Sequence, residues 1–152
     1  MDERKQFNNG SPIKGTLSSN KITQAQFQCQ LPSIISHMIE GEIKRGKCFG
    51  IHFFNAEIHQ VKSILKEPNL LGVWEADIEV KHPKTKVFVK KKKSSTLFPL
   101  TWTKTDLAIK LIEAFANAKF TTSYKSIGIT SCQIEIVFIF QNGMITSCYP
   151  IC

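Results

Sequence analysis

The chain of 152 residues contains no CxxC pair and no Cys/His run with zinc-finger spacing. No apolar stretch approaches the roughly 18 residues of a membrane span, and the longest, Ile136–Phe140, is strand length. Its five cysteines (Cys29, Cys48, Cys132, Cys148 and Cys152) are odd in number, so neither a closed disulfide framework nor a structural zinc site is indicated. Reduced, mostly buried thiols are expected. With only 8 Gly and 6 Pro, collagen-like and low-complexity classes are excluded. The residues Met1–Gln6 hold no apolar segment of the signal-peptide kind, so the expectation is a soluble protein without its own export signal and without membrane insertion.

What is present is an ordinary globular mixture with 42% hydrophobic and 21% charged residues. A chain of about 150 residues buries about 70% of its unfolded surface, enough to hold a core without disulfide or metal. The balance of 20 Lys plus Arg against 12 Asp plus Glu leaves a net charge of +8, which favours polyanionic partners. Residues 1–32 carry +2 of it (Arg4, Lys5, Lys14 and Lys21 against Asp2 and Glu3), which leaves +6 on the remainder.

Residues 1–31 read as a flexible lead-in or linker, with Asn8–Pro12, Ser18–Asn20 and a Gln-rich stretch, and one short helix over Ile22–Cys29. The folded domain is expected over 32–152. Asn55 is placed to cap a short helix through Ile58, Val61, Ile64 and Leu65. Val73–Val80 alternates as a strand, His82-Pro83-Lys84 turns, and Lys86–Lys90 returns. Thr103 with Asp106 three residues on announces the strongest helix, about 104–119. Ile134–Phe140, the turn Gln141-Asn142-Gly143 and Met144–Tyr149 form a terminal hairpin. Helices followed by mostly antiparallel strands give an α+β fold.

His37 and His52 lie 15 residues apart in apolar segments. Imidazole takes either proton state near neutral pH, so two of them across a phosphodiester can serve as general base and general acid. In RNA the attacking group is already present as the 2′-hydroxyl. A cation on the phosphoryl oxygens completes such a site, and residues 81–93 hold seven lysines and no acid. Alternation along a strand lets at most two of Lys90–Lys93 face one site. Tyr149, beside Thr146 and Ser147, is placed to stack on a base. The bland reading sets beside this two packed histidines, a solvated or aggregation-guarding lysine run and a strand-terminal tyrosine.

These pieces come in a definite order: Ser36–Glu42 around His37, Gly50–Phe53 around His52, Gly72–Ala76, Lys93–Pro99 with Trp102, and Asn142–Pro150. Over about residues 33–152 the chain resembles the EndoU-type endoribonucleases, in particular the bacterial toxin branch at the C-termini of contact-dependent inhibition and other polymorphic toxins. The resemblance implies an antiparallel-sheet ribonuclease core of the barnase/EndoU/colicin/RelE type behind an N-terminal helical part. It implies His37 and His52 as catalytic histidines, with His52 as base and His37 as acid, although the sequence leaves that order open. The family's lysine falls within Lys90–Lys93, with Lys92 favoured by spacing and Lys93 as the alternative. The hydroxyl after it matches Ser95 or Thr96, and Ser147 and Tyr149 match the nucleotide-binding pair; Lys93 and Thr96 join them as substrate contacts. His59 and His82 are expected to be structural or solvated.

The activity so implied is metal-independent, cofactor-free RNA cleavage by 2′-hydroxyl attack, leaving 2′,3′-cyclic phosphate and 5′-hydroxyl ends. The implied partners are RNA, a tRNA among the candidate targets, and an immunity protein acidic at its interface. The implied route is delivery within a larger secreted or surface toxin that acts in a target cell's cytoplasm. The competing reading is a non-catalytic RNA- or anion-binding module on the same scaffold, and a zinc hydrolase is a distant third.

Overall fold

The computed structural model describes residues 22–152. Expectations for residues 1–21 lie outside the described residues. The first element among the described residues is α1 (Gln24–Glu40), whose start is fixed by a capping box. The Thr23 hydroxyl accepts from Gln26 N and the Gln26 side chain accepts from Thr23 N, so two backbone donors that a helix start leaves orphaned are satisfied. The folded part therefore reaches further back than the expected boundary at residue 32, and the helix is 17 residues long rather than ending at Cys29. Phe27, which a lead-in would leave in water, is fully buried. Pro32 does not end the helix, and it lies on the exposed side.

A hairpin follows, β1 (Glu42–Lys44) and β2 (Lys47–Phe49), antiparallel with Ile43 opposite Cys48. Arg45 and Gly46 turn it with φ of 53° and 76°, the positive pair that a tight two-residue hairpin turn requires. Then come β3 (His59–Lys66) and β4 (Trp74–Lys81), paired antiparallel with two register shifts. The helix expected from Ile58, Val61, Ile64 and Leu65 is thus a strand. That spacing suggests a buried helical face, yet Val61, Ile64 and Leu65 are exposed and the backbone is committed to the β4 ladder. β5 (Phe88–Lys90) and β6 (Ser95–Leu97) pair with opposite ends of β4.

The second half runs α2 (Lys104–Asn117), β7 (Lys119–Phe120), β8 (Lys125–Ile129), β9 (Glu135–Gln141) and β10 (Met144–Pro150), with sheet order β10-β9-β8-β7. Thr103 and Asp106 form the expected reciprocal capping box of α2. The architecture is α+β, as the residue pattern implies. Helices α1 and α2 back the β7–β10 sheet, and the rings of Phe27 and Phe115 stack at 4.2 Å while Phe138 meets both edge-on. Gly128 on β8 is pressed so closely against α2 that a Cβ there would lie 1.8 Å from the Ala114 carbonyl oxygen. A second, smaller core under β4 gathers Trp74, Ala76, Ile78 and Val80 with Cys48, Ile51 and Leu97. No helix among the described residues is long and apolar enough to cross a membrane.

Candidate active site

His37 occupies the last turn of α1, and its carbonyl accepts from Gly41 N at 2.8 Å as the helix closes. The next carbonyl, that of Met38, accepts from His52 N at 2.8 Å and Phe53 N at 3.2 Å. The loop bearing the second histidine is therefore tied to the residue beside the first. Gly50 permits the approach. Its φ is 90°, and a Cβ there would lie 3.0 Å from His37 Nε2. Ile51, fully buried, is held at φ 65°, a costly value for a β-branched residue immediately before the histidine it positions.

The His52 ring is oriented from the other side. Its Nδ1 lies 2.7 Å from the Thr96 carbonyl oxygen. A carbonyl can only accept, so Nδ1 carries the proton and, in the neutral ring, Nε2 keeps a free lone pair. Burial pulls the His52 pKa down to about 4; the Thr96 bond opposes this, while the charges of Lys91 and His37 add to it. His37 is also lowered by burial, but the charge on it is that of Glu42, which raises it. One histidine faces cations and the other a carboxylate. Both shifts run downward, and the charges that act on the two rings differ in sign.

Among the four consecutive lysines, the one whose charge reaches His52 is Lys91, not the expected Lys92. An isolated bridge pairs Lys91 with Cys48, and the half-buried Lys91 side chain donates to the carbonyls of Lys93 (3.0 Å) and Ser94 (3.5 Å). Burial lowers its pKa, with the Cys48 thiol and Asp77 opposing and Lys93 adding. Lys92 lies at a bend beyond the end of β5 and lines a separate groove with Lys44, Arg45, Lys47 and Phe49. Lys90 and Lys93 are exposed.

Ser147 and Tyr149 share one half-exposed face of β10, with Cys148 between them buried in the core. The Tyr149 ring lies 5.3 Å from the His52 ring, tilted by 31°. Of the two hydroxyl candidates on β6, Ser95 is fully buried without a hydrogen-bond partner, whereas Thr96 is half-exposed. The structure therefore sets Thr96, Tyr149, Lys91 and His37 about the His52 ring, and leaves Lys92 in a separate groove and Lys93 exposed.

The bacterial EndoU nuclease model matches residues 33–152. The chain belongs to the bacterial EndoU nuclease family. Its fold is similar to that of a solved structure of endoribonuclease Nsp15 encoded by Middle East Respiratory Syndrome Coronavirus, with a TM-score of 0.50 and 13% identity. That match covers 94% of this chain and 42% of the other, so the chain spans less than half the length of that protein. No curated protein matches it by sequence.

In this EndoU domain three contributors carry no sequence signal of their own. Ile51 shows its role only through its backbone angle, the Thr96 carbonyl is indifferent to side chain, and Glu42 belongs to a motif without standing out as a charge partner. His59, by contrast, is a structural histidine, as expected. It is buried, its Nδ1 accepts from Asn55 N at 2.9 Å and its Nε2 donates to the Ile39 carbonyl. His82 caps its turn by accepting from the backbone of Lys84 and Thr85. Among the described residues no group of three or more His, Cys, Asp or Glu side chains is placed to hold a metal ion.

Proposed function

We propose that this EndoU domain is an endoribonuclease that cleaves RNA by transesterification without a metal ion. The observation that carries the reading is the pairing of two histidines in different electrostatic settings, His52 held by its amide to the carbonyl of the residue after His37 and by Nδ1 to the Thr96 carbonyl, which leaves its Nε2 unblocked. His52 Nε2 takes the proton of the ribose 2′-hydroxyl, whose oxygen forms a bond to phosphorus. Lys91 stabilises the added negative charge on the phosphoryl oxygens. The bond to the 5′-oxygen breaks and His37 gives that oxygen its proton. The products are a 2′,3′-cyclic phosphate and a 5′-hydroxyl, with each histidine left in the other's starting state. Tyr149 stacks on the base 5′ of the scissile bond, and Ser147 and Thr96 supply polar contacts to that nucleotide.

The cellular reading follows the same resemblance. The domain acts as the toxic part of a larger secreted or surface polypeptide, in the cytoplasm of a target cell, on a single-stranded loop such as that of a tRNA. An acidic immunity protein covers its basic face in the producer. The test is incubation with total RNA, with and without chelator, and mapping of 5′-hydroxyl ends. Sharp ends insensitive to chelator, with no cleavage where the scissile ribose is 2′-deoxy, are expected. Cleavage of the deoxy substrate at the same rate would overturn the mechanism, and salt-sensitive binding without turnover would favour a binding module.

A further inference from the structure

The groove that receives Lys92 is separate from the histidine site. It encloses about 430 Å³ and is lined by Lys44, Arg45, Lys47, Phe49 and Lys92, four cations and one aromatic with no acid among them. The β1–β2 register explains the clustering. Ile43 and Cys48 are opposite one another and face inward, which sends the cross-strand pairs Lys44–Lys47 and Glu42–Phe49 to the outward face. The tight turn at Arg45-Gly46 keeps the guanidinium at the tip. Glu42, on the same face, pairs with Lys44 at 3.3 Å and so neutralises one charge of the group. Phe49 remains 41% exposed, although it sits in a chain that buries most of its phenylalanines. An uncovered ring flanked by cations lacks a structural reason, but single-stranded nucleic acid supplies one, since bases stack on aromatic faces while phosphates follow the charges.

The groove also lies on a path from the chemistry. Phe49 adjoins Gly50, where a Cβ would lie 3.0 Å from His37 Nε2, and Lys92 adjoins Lys91. We propose that the outward face of the β1–β2 hairpin, together with Lys92, is a second nucleotide-binding subsite, in which Phe49 stacks on a base and Lys44, Arg45, Lys47 and Lys92 hold phosphates of single-stranded RNA beyond the cleaved linkage. The subsite rests on the endoribonuclease reading and extends it. Because His37 protonates the leaving 5′-oxygen, the strand held here is the one that departs, 3′ of the scissile bond. The substrate class is then an unpaired RNA segment of several nucleotides, since a duplex would not free a base for Phe49.

The experiment compares two substrates, a dinucleoside monophosphate and a longer single-stranded oligonucleotide with a single ribose at the same linkage. Wild-type protein is expected to prefer the oligonucleotide at least tenfold in kcat/KM, mainly through KM. Phe49→Ala and the double variant Lys44→Ser/Lys47→Ser are expected to lose about tenfold on the oligonucleotide while keeping the dinucleotide rate and Tm. The double variant should also flatten the dependence of log KM on log salt by roughly 0.7 for each phosphate that is no longer neutralised. Unchanged oligonucleotide cleavage would overturn the subsite and turn attention to an acidic protein on this face; a proportional loss on both substrates would overturn it as well. Anisotropy with an uncleavable single-stranded oligonucleotide separates this from failure of the nuclease reading. Affinity reduced about tenfold by Phe49→Ala supports the subsite even in an inactive protein, and unchanged affinity removes it.

Discussion

The two halves of the molecule solve different problems. The half built from α1, α2 and β7–β10 buries its rings in a stacked aromatic core and contributes His37, Ser147 and Tyr149 to the site. The half built on β4 has a small core, leaves Val61, Ile64 and Leu65 of β3 exposed, and contributes Lys91 and the Thr96 carbonyl. Rigid helix-backed elements place groups that must meet a substrate at fixed angles. A thin, open sheet is where several lysines can coexist, because solvent relieves their mutual repulsion. His52 stands between the two and is bonded to both, through Met38 on one side and through Thr96 and the Phe98 amide on the other. Its ring is in register only when the two halves are packed together.

Predictions that break this arrangement can be ordered by size. Removing the junction ring with His52→Ala should lower kcat by about 10³-fold in a ribonuclease assay, with a modest fall in melting temperature as the Thr96 carbonyl loses its partner and the backbone bonds to Met38 and Phe98 remain. Phe138→Ala, at the centre of the helix-backed core, should cost about 3–5 kcal/mol in denaturant unfolding, whereas Ile64→Ala on the open strand should stay within about 0.5 kcal/mol. Lys91→Ala should reduce kcat by about 10²-fold, with Lys92→Ala leaving kcat on a dinucleotide much closer to wild type. A pattern reversed between the two lysines would move the catalytic charge to the groove that Lys92 lines.

Acidification gives a smaller, graded effect. His37, His52 and His59 all have folded pKa values below the ordinary histidine value, His52 at about 4. The unfolded chain therefore binds protons first as pH falls, so the stability these groups carry is complete above about 6.5 and is lost between there and about 4. Tm should fall across that window and be flat above it. His59→Gln, which keeps hydrogen-bonding capacity without the proton, should shallow the slope without altering the activity profile. For kcat/KM the same values place the acid limb near the His52 pKa and the alkaline limb at that of His37, so the optimum should lie below 6.5.

Much of the helix-backed half was legible in the sequence. The Thr103/Asp106 box, the 107–115 apolar spacing and the Asn-Gly turn each act within a few residues, and each appears as expected. The open half was legible only in part: Val73–Val80 and Lys86–Lys90 pair as β4 and β5 much as their alternation and the intervening turn imply. Ile58–Leu65 has helical spacing, but its conformation is decided by a partner strand some fifteen residues away, and its apolar residues are not buried. The two histidines could be named from their motifs, yet the choice among four lysines depends on a single bridge between Cys48 and Lys91 that no local pattern encodes. The start of α1 was hidden in a polar stretch, where Thr23 and Gln26 cap a helix whose buried anchor, Phe27, is one ring among many glutamines.

The closure at Met38 separates distance along the chain from distance in space. Residues 42–49 form an excursion that leaves α1 and returns before the His52 amide bonds back to that carbonyl. Lengthening or shortening the turn at Arg45-Gly46 would change the count between His37 and His52 without moving either ring. The interval between the two histidines is thus free to drift over evolutionary time, and the hairpin offers an engineer a place to retune what the enzyme grips while the acid and base stay where they are.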